Sequence, residues 1–245
     1  MQITPIVSRS NALIKKIRKL RDKKYREQFG EYVAEGKRWV SDALRICPKN
    51  VVAVLCSSDT RCEYADFVVE TALFAELADT ENSQGVIAVM RIPTFSHSPS
   101  GNHCLFLDRV RDPGNMGTII RTAVAAGYAD IVLRDCVDVF NSKVIRSSMT
   151  GILSINLHFD SKLSDLKECG YTVVAADLQG ENIFETDFAA QKVCLVIGNE
   201  ANGIDPLLLQ QCDKTVTIPM EGEIESLNAA VSAGILMYQL KYRNR

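Results

Sequence analysis

The stretch LDRVRDPGNMGTIIRTA, residues 107–123, changes character in its middle. It begins at the end of an apolar run, Cys104–Leu107, that has the length of a buried β-strand. A charged turn with Pro113 and Gly114 follows, and small and apolar residues then continue to a glycine at position 127, where a helix can end. The stretch therefore predicts a strand joined by a charged turn to a helix that begins near Asn115, which is a building unit of α/β folds.

The same alternation of short apolar runs and helical patterns continues to the C-terminus. Runs of this kind that follow one another without polar alternation are typical of parallel strands covered on both faces. From His103 onward we therefore predict an α/β domain with a mostly parallel sheet. Its further strands are expected at Ile131–Leu133, Ile155–Phe159, Thr172–Ala176, Val193–Ile197 and Val216–Ile218, with helices at Lys143–Met149 and Leu163–Cys169.

The first 92 residues predict a separate, small α/β sandwich domain. It would open with one amphipathic helix over residues 9–28, capped by Ser10 or Asn11, whose apolar stripe contains Leu13, Ile14, Ile17 and Leu20. Residues 93–102 are rich in Pro, Ser and Gly and are expected to form a linker to the second domain at 103–245. The remaining predicted elements are strands at Tyr32–Ala34, Val51–Cys56 and Gly85–Arg91 and helices at Lys37–Ile46 and Thr71–Ala78.

Positive charge is concentrated at the N-terminus. Residues 1–40 contain 11 Lys and Arg against 4 Asp and Glu, whereas the whole chain has 28 against 30 and a net charge of −2. A basic arm on an otherwise acidic protein is a candidate surface for phosphate groups. A solvated helix face would give the same pattern, so the charge alone leaves both interpretations open.

Cysteine and histidine spacing argues against a metal site. The eight cysteines are scattered and never form C-x-x-C, and none of the three histidines stands near a cysteine pair. We expect reduced thiols and no metal. The chain also lacks an apolar run of the roughly eighteen residues that a membrane span needs, and its first residues lack a signal-peptide core, so we expect a cytoplasmic protein.

The last predicted helix, over residues 226–240, is apolar on nearly every side. Such a helix has to be buried within its domain or between subunits. It also carries Ala229, Ala230, Ser232, Ala233 and Gly234, small residues that permit a close approach of another helix. This pattern predicts a homodimer.

Three segments carry polar residues at places where chemistry is performed in α/β folds. In residues 107–123, Asn115 would face the carboxyl end of a strand or cap the helix, and Arg121 would lie in a partly buried site or form a structural salt bridge. In LVIGNEANGID, residues 195–205, Gly198 and Gly203 would let the backbone approach a ligand with Glu200 at the tip, or would only form a tight turn.

The third segment is IPMEGEIESLNAAVSAG, residues 218–234. Here Ser226 and Asn228 precede and enter the apolar helix, Ser226 as its expected N-cap and Asn228 as a ligand contact or a partner of a nearby backbone group. The phosphate loop G-x-x-x-x-G-K-[S/T], the dinucleotide fingerprint G-x-G-x-x-G and the hydrolase elbow G-x-S-x-G are all missing from the sequence. A dinucleotide-dependent oxidoreductase therefore remains only a minor alternative.

Taken together, the three segments resemble the three motifs of the SpoU (TrmH) branch of the SPOUT methyltransferases. The resemblance covers residues 103–245, and residues 10–36 and 79–90 resemble the N-terminal substrate-binding domain, with a ribosomal-protein-like sandwich fold, of members that act on ribosomal RNA. It implies a C-terminal SPOUT domain with a deep trefoil knot and a homodimer. Where the family usually has glycine after Gly198-Asn-Glu, this chain has Ala201.

The resemblance implies transfer of a methyl group from S-adenosylmethionine to a ribose 2′-hydroxyl. It places the cofactor at Gly198, Ile218 and Leu227, and assigns catalysis and ribose placement to Asn115, Arg121, Glu200, Ser226 and Asn228. The basic helix and the extra domain favour ribosomal RNA, in particular 23S rRNA, as the substrate. Transfer RNA as the substrate, and a knotted homologue that binds RNA without methylating it, are the alternatives.

Overall fold

The computed structural model describes residues 5–95, 98–159, 161–188 and 190–242. Its contacts divide the chain into two compact units, Met1–Thr94 with Phe140–Leu153, and Phe95–Val139 with Ser154–Arg245. The domain limits at residues 92 and 103 stay a prediction. Among the described ranges, no helix is both long and apolar enough to cross a membrane.

The helices, in chain order, are α1 Ala12–Lys19, α2 Lys23–Phe29, α3 Lys37–Ile46, α4 Thr71–Ala75, α5 Pro113–Ala125, α6 Ser142–Ser147, α7 Leu163–Glu168, α8 Pro206–Leu209 and α9 Ala229–Tyr242. The strands are β1 Glu31–Glu35, β2 Val51–Ser57, β3 Phe67–Val69, β4 Val86–Arg91, β5 His103–Asp108, β6 Asp130–Arg134, β7 Asn156–His158, β8 Thr172–Asn182, β9 Val193–Ile197 and β10 Lys214–Thr217. Single turns of 3₁₀ helix lie at Pro48–Asn50 and Gly151–Leu153.

The first unit is a four-stranded sheet with helices on both faces, which confirms the predicted small α/β domain. Its strand order is β1-β4-β2-β3, with β4 antiparallel to β1 and β2 and with β3 parallel to β2. Alternate strand residues point to opposite faces. One face packs on α1 and α4 through Ile14, Ile17, Leu73 and Phe74, and the other bears Tyr32, whose ring meets Trp39 of α3 edge to face at 6.4 Å.

The predicted helix over 9–28 is wrong in its length, because the chain forms two helices there. Asn11, not Ser10, caps α1 by accepting from the amide of Leu13 at 2.9 Å. The break follows α1, where the buried guanidinium of Arg26 donates to the carbonyls of Leu20 and Arg21, each at 2.7 Å. These bonds satisfy carbonyls that would otherwise continue the helix. Strand β3 and helix α8, both of four residues or fewer, were not predicted.

The second unit is a six-stranded, fully parallel sheet, which confirms the predicted α/β domain. Its order is β10-β8-β9-β5-β6-β7. Side chains of α7 and α8 pack on one face, beside Phe106, Val173 and Val196. Helix α9 packs against α5 and β9. The chain runs from β5 outward through β6 and β7, and β9 lies on the other side of β5, so strand order reverses between β5 and β9, where α/β proteins bind ligands.

Both helices next to this reversal begin at other residues than predicted. Helix α5 begins at Pro113 with Asp112 as its N-cap, because the Asp112 carboxylate accepts from the amide of Asn115 at 2.8 Å. Helix α9 begins at Ala229, so Ser226 lies in the preceding loop and is not its cap. As predicted, Gly127 adopts a positive φ, 78°, after the end of α5.

Candidate active site

A cavity of about 500 Å³ lies at the carboxyl ends of β9 and β10 and beside the middle of β8 in the second unit. Five of the eight residues singled out from the sequence line it, although they come from segments far apart in the chain. They are Gly198, Glu200, Ile218, Ser226 and Leu227. The other lining residues include Ile197, Asn199 and Leu236.

The two glycines of the loop after β9 are needed for different reasons. A Cβ at Gly198 would overlap the backbone of Gly203 and Ile204, because Asn199 and Gly203 form an antiparallel bridge with N–O distances of 3.0 and 2.9 Å. Gly203 has a φ of 63°, which disfavours other residues. Ala201 does not have a positive φ, so an alanine fits there without backbone strain.

Side chains from all three segments join in one hydrogen-bonded row. Asn228 Nδ2 donates to Oδ1 of Asn115 at 2.8 Å, and Asn115 Nδ2 donates to Oε1 of Glu200 at 3.0 Å. Because an ionised carboxylate only accepts, Glu200 fixes the orientation of the Asn115 amide, and Asn115 in turn fixes that of Asn228. Both hydrogen bonds of the row therefore run in the same donor-to-acceptor direction, from Asn228 to Glu200.

Glu200 is held by several donors besides Asn115. The backbone amides of Arg111 and Asp112 approach its carboxylate at 3.4 and 3.3 Å. Partial burial alone raises the pKa of Glu200, but the hydrogen bonds from Asn115 and from these amides outweigh it and leave the pKa below its usual value. Glu200 is therefore a weak proton acceptor that stays ionised near neutral pH.

Asn228 serves the fold as well as the row. Its Oδ1 accepts from the amides of Ala230 at 2.9 Å and Val231 at 3.3 Å, so this residue caps α9. Satisfying a neighbouring backbone group was one of the two interpretations of Asn228, and the structure contains both that contact and the contact with Asn115. After these bonds, one N–H of each asparagine amide has no acceptor among the residues that the structure describes and is left to bind an oxygen atom.

Arg121 lies away from the row. Its side chain is exposed and makes no hydrogen bond or ion pair with the residues that the structure describes, so both the expected partial burial and the alternative of a salt bridge are wrong. The reason is helix phase: Arg121 follows Asn115 by six residues on α5, which turns it about 240° around the helix axis. Ser226 is also exposed, at the edge of the cavity.

Two residues beside the cavity were not anticipated. Asp108, at the end of β5, is completely buried and accepts from Arg134 Nη1 at 2.6 Å and from the Asp205 amide at 2.9 Å. Asn199 Nδ2 donates to the Arg109 carbonyl at 2.8 Å and so ties the loop after β9 to the loop after β5. A carboxylate that ends an apolar strand was the only sequence signal for Asp108.

The lining suits an organic ligand better than a metal. In the part of the chain that the structure describes, no three His, Cys, Asp or Glu side chains are grouped so that they could hold a metal ion. The cavity instead combines apolar side chains, a backbone that can be approached closely at Gly198, and a few polar groups, as small-molecule sites do.

Comparison with known families decides which site this is. The model of the SpoU rRNA Methylase family matches residues 102–238, and that of the MRM3-like substrate binding domain matches residues 11–88. The chain belongs to the SpoU rRNA methylase family. The resemblance stated from the sequence motifs is thereby confirmed.

Relatives of this SpoU protein are similar over almost its whole length. The Bacillus subtilis 23S rRNA (guanosine(2553)-2′-O)-methyltransferase RlmP is 33% identical over 96% of this chain and 98% of its own. Among solved structures, the AdoMet-bound rRNA methyltransferase from Sinorhizobium meliloti has a TM-score of 0.83 at 28% identity and covers 99% of both chains. The AdoMet complex of AviRb from Streptomyces viridochromogenes has a TM-score of 0.84 at 25% identity, over 96% of this chain and 98% of its own.

Proposed function

We propose that this SpoU protein is an S-adenosylmethionine-dependent methyltransferase that methylates a ribose 2′-hydroxyl in 23S rRNA. The observation that carries the proposal is the row Asn228–Asn115–Glu200, which leaves two amide N–H groups next to the cavity that Gly198, Ile218 and Leu227 line. The family and the relatives named above support the same reaction.

The cavity fits S-adenosylmethionine. Ile218 and Leu227 offer apolar contact to the adenine, and the bare backbone at Gly198 permits close hydrogen bonding along the nucleoside. Ser226 supplies a hydroxyl at the edge. When bound, S-adenosylmethionine supplies a methyl group on a positively charged sulfur, which the ribose 2′-oxygen takes by in-line displacement.

The two asparagines position the ribose oxygen in this account. Their remaining N–H groups donate to its lone pairs and stabilise the negative charge that develops as the hydroxyl loses its proton. Glu200 holds Asn115 in the required orientation and, with its lowered pKa, does not take the proton itself. Ser226 orients the loop before α9, and the proton leaves to water.

Arg121 acts through its charge. A guanidinium stays protonated near neutral pH and is a poor base. Of the two roles considered for it, stabilising the alkoxide or binding the neighbouring phosphate of the RNA, we assign it the second, which suits an exposed side chain that lies away from the row and has no partner among the described residues.

The N-terminal unit is proposed to hold the ribosomal RNA, with domain limits at residues 1–92 and 103–245. Support comes from the MRM3-like substrate binding match and from the lysines of α1 and α2. Lys15, Lys19 and Lys24 form no ion pair with the residues described, and Lys23 has only an exposed pair with Glu27 at 3.5 Å. Transfer RNA remains the second candidate, since a Synechocystis relative, 31% identical, is named a tRNA/rRNA methyltransferase. A ribosomal RNA substrate also supports a cytoplasmic location.

The protein is proposed to act as a homodimer with a knotted C-terminal domain. Val231, Tyr238 and Tyr242 lie at spacings of seven and four residues on one side of α9, and all are exposed in the single chain although they are large and apolar. A second copy would cover them. For the knot, the support is that the chain returns from the edge strand β10 to pack α9 on β9 and α5.

The test is transfer of tritium from labelled S-adenosylmethionine to unmodified ribosomal and transfer RNA. Label on a ribose of 23S rRNA, lost in Asn115→Ala and kept in Asn82→Ala, is the expected result; Asn82 is an exposed asparagine of the first unit. Label on transfer RNA alone would show that transfer RNA, and not ribosomal RNA, is the substrate. Cofactor binding without transfer to either RNA would favour a knotted homologue that only binds RNA.

A further inference from the structure

A second cavity, of about 350 Å³, lies in the same unit on the α7 and α8 side of the parallel sheet. Phe106 of β5, Leu163 of α7 and Leu208 of α8 form its apolar part, and all three are buried. Arg134, the last residue of β6, and Phe159, which follows β7, stand at the carboxyl ends of their strands. This cavity therefore opens at the same edge of the sheet as the cavity at β8, β9 and β10.

The mouth of this cavity combines an aromatic ring with one lysine side chain. Phe159 is 47% exposed, although its ring also packs on Phe95 with 5.5 Å between centroids. The exposed side chain of Lys162 stands at the rim with Ser164 and Gln211. An exposed aromatic face, an apolar interior and a lysine at the rim suit an unpaired nucleotide, since its base stacks and its phosphate is an anion.

Arg134 lines only this second cavity, but its ion pairs reach the segment that follows the first cavity's loop. Its guanidinium donates to Asp108 at 2.6 Å and to Asp205 at 3.4 Å, so its position is fixed. Asp205 closely follows Gly203, which lines the first cavity. Both cavities therefore adjoin the segment that runs from the loop after β9 into α8.

We propose that the cavity at Phe159 binds an unpaired base of the RNA substrate near the methylated nucleotide, by stacking on Phe159 and by attraction of the adjoining phosphate to Lys162. The inference rests on the proposed function, because it takes RNA as the substrate. It adds a subsite that selects for a single-stranded or splayed-out nucleotide beside the target ribose.

The test measures the affinity for unmodified 23S rRNA transcripts by filter binding, together with kcat, KM and the dissociation constant for S-adenosylmethionine. Phe159→Ala should weaken RNA binding and raise KM by about tenfold, with kcat and cofactor affinity unchanged, and Phe159→Trp should retain wild-type affinity. Lys162→Ala should weaken binding and reduce the slope of log affinity against log salt by about one. The matched control is Phe184→Ala, since Phe184 is also 47% exposed in the same unit but lines neither cavity.

RNA affinity of Phe159→Ala equal to that of Phe184→Ala would overturn the inference, as would a Phe159→Trp variant as weak as Phe159→Ala. If Phe159→Ala fails to fold, Phe159→Trp and Lys162→Ala decide the question, and a wild-type salt slope in Lys162→Ala then overturns it. If the wild-type protein transfers no methyl group to RNA, the proposed function is contradicted. RNA affinity is measured in a separate assay, so failure of the proposed function and failure of the Phe159 subsite can be distinguished.

Discussion

The side-chain amide of Asn228 donates a hydrogen bond of 2.8 Å to the side-chain oxygen of Asn115, 113 residues earlier in the chain. Asn228 caps α9 and Asn115 lies in the first turn of α5, so the bond joins the starts of two helices that pack together. Since Glu200 fixes the other end, the amide groups are oriented before any substrate binds. Preorganised donors of this kind stabilise developing charge without reorganisation at the moment of reaction.

Replacing Glu200 with Gln should lower kcat by about tenfold or more and leave KM for RNA unchanged, because the Asn115 amide loses the charged acceptor that orients it. Single-turnover methyl transfer at saturating cofactor measures this. Glu225→Gln is the control, a cavity carboxylate on the exposed loop before α9. Equal loss in both variants would mean that the overall charge of the site matters and the orientation of Asn115 does not.

The lowered pKa of Glu200 predicts a pH dependence of stability. A carboxyl whose pKa is lower in the folded than in the unfolded protein stabilises the fold above the unfolded pKa, about 4.3 for Glu, and loses that contribution as pH falls through the folded pKa. The free energy of unfolding of the wild type should therefore exceed that of Glu200→Gln most at neutral pH, and the difference should shrink below about pH 4.3. Urea unfolding from pH 7 to pH 3 tests this, and a difference that grows on acidification would contradict it.

Gly198→Ala should abolish binding of S-adenosylmethionine, because the added methyl group overlaps the backbone of Gly203 and Ile204 and opens the loop. Isothermal titration measures the loss. Gly234→Ala is the matched control: its new Cβ would meet only the Thr122 methyl, at 3.4 Å, and its position within α9 favours alanine. Cofactor binding by Gly198→Ala with wild-type affinity would show that the loop moves freely or that the cofactor binds elsewhere.

Arg121→Lys should retain most of the activity, and Arg121→Ala should lose most of it, if the charge of Arg121 is what acts. The values of kcat/KM for the two variants measure this, with Arg61→Ala as an exposed control in the first unit. Little activity in Arg121→Lys would instead favour the forked geometry of the guanidinium or a direct role in proton removal.

Tyr238→Glu should dissociate the proposed homodimer, because it places a charge on the apolar stripe of α9. Sedimentation velocity at micromolar concentration distinguishes the mass of the monomer from that of the dimer. Tyr64→Glu is the control, with 39% exposure against 44% for Tyr238. A wild-type protein that sediments as a monomer would contradict the proposed homodimer.

The sheets and most helices could be predicted from the sequence because their signals are local. Apolar runs such as Val193–Ile197 are long enough to identify a buried strand without knowledge of its neighbours. The break between α1 and α2 could not be predicted in this way, since it depends on Arg26 reaching back to carbonyls at the end of α1. The three-residue strand β3 is defined by its pairing with β2 and by the bridge between Val69 and Ile6.

The sequence predicted most residues of the candidate site, but it did not predict how their side chains are arranged. Motif resemblance identified Gly198, Ile218 and Leu227, which line one cavity. The exposure of Arg121 depends on which side of α5 packs against α9, and the bond between Asn115 and Asn228 depends on tertiary packing. Neither follows from spacing along the chain.

The Asn228–Asn115–Glu200 row is proposed to hold the ribose 2′-oxygen for methylation. The most direct measurement maps 2′-O-methyl groups on unmodified 23S rRNA by resistance to alkaline cleavage, after a single turnover with the wild type or with Asn115→Ala. We expect one protected ribose with the wild type and a rate about a hundredfold lower with Asn115→Ala, at unchanged cofactor affinity. Protection at the same rate in both proteins, or methylation of a base, would contradict it.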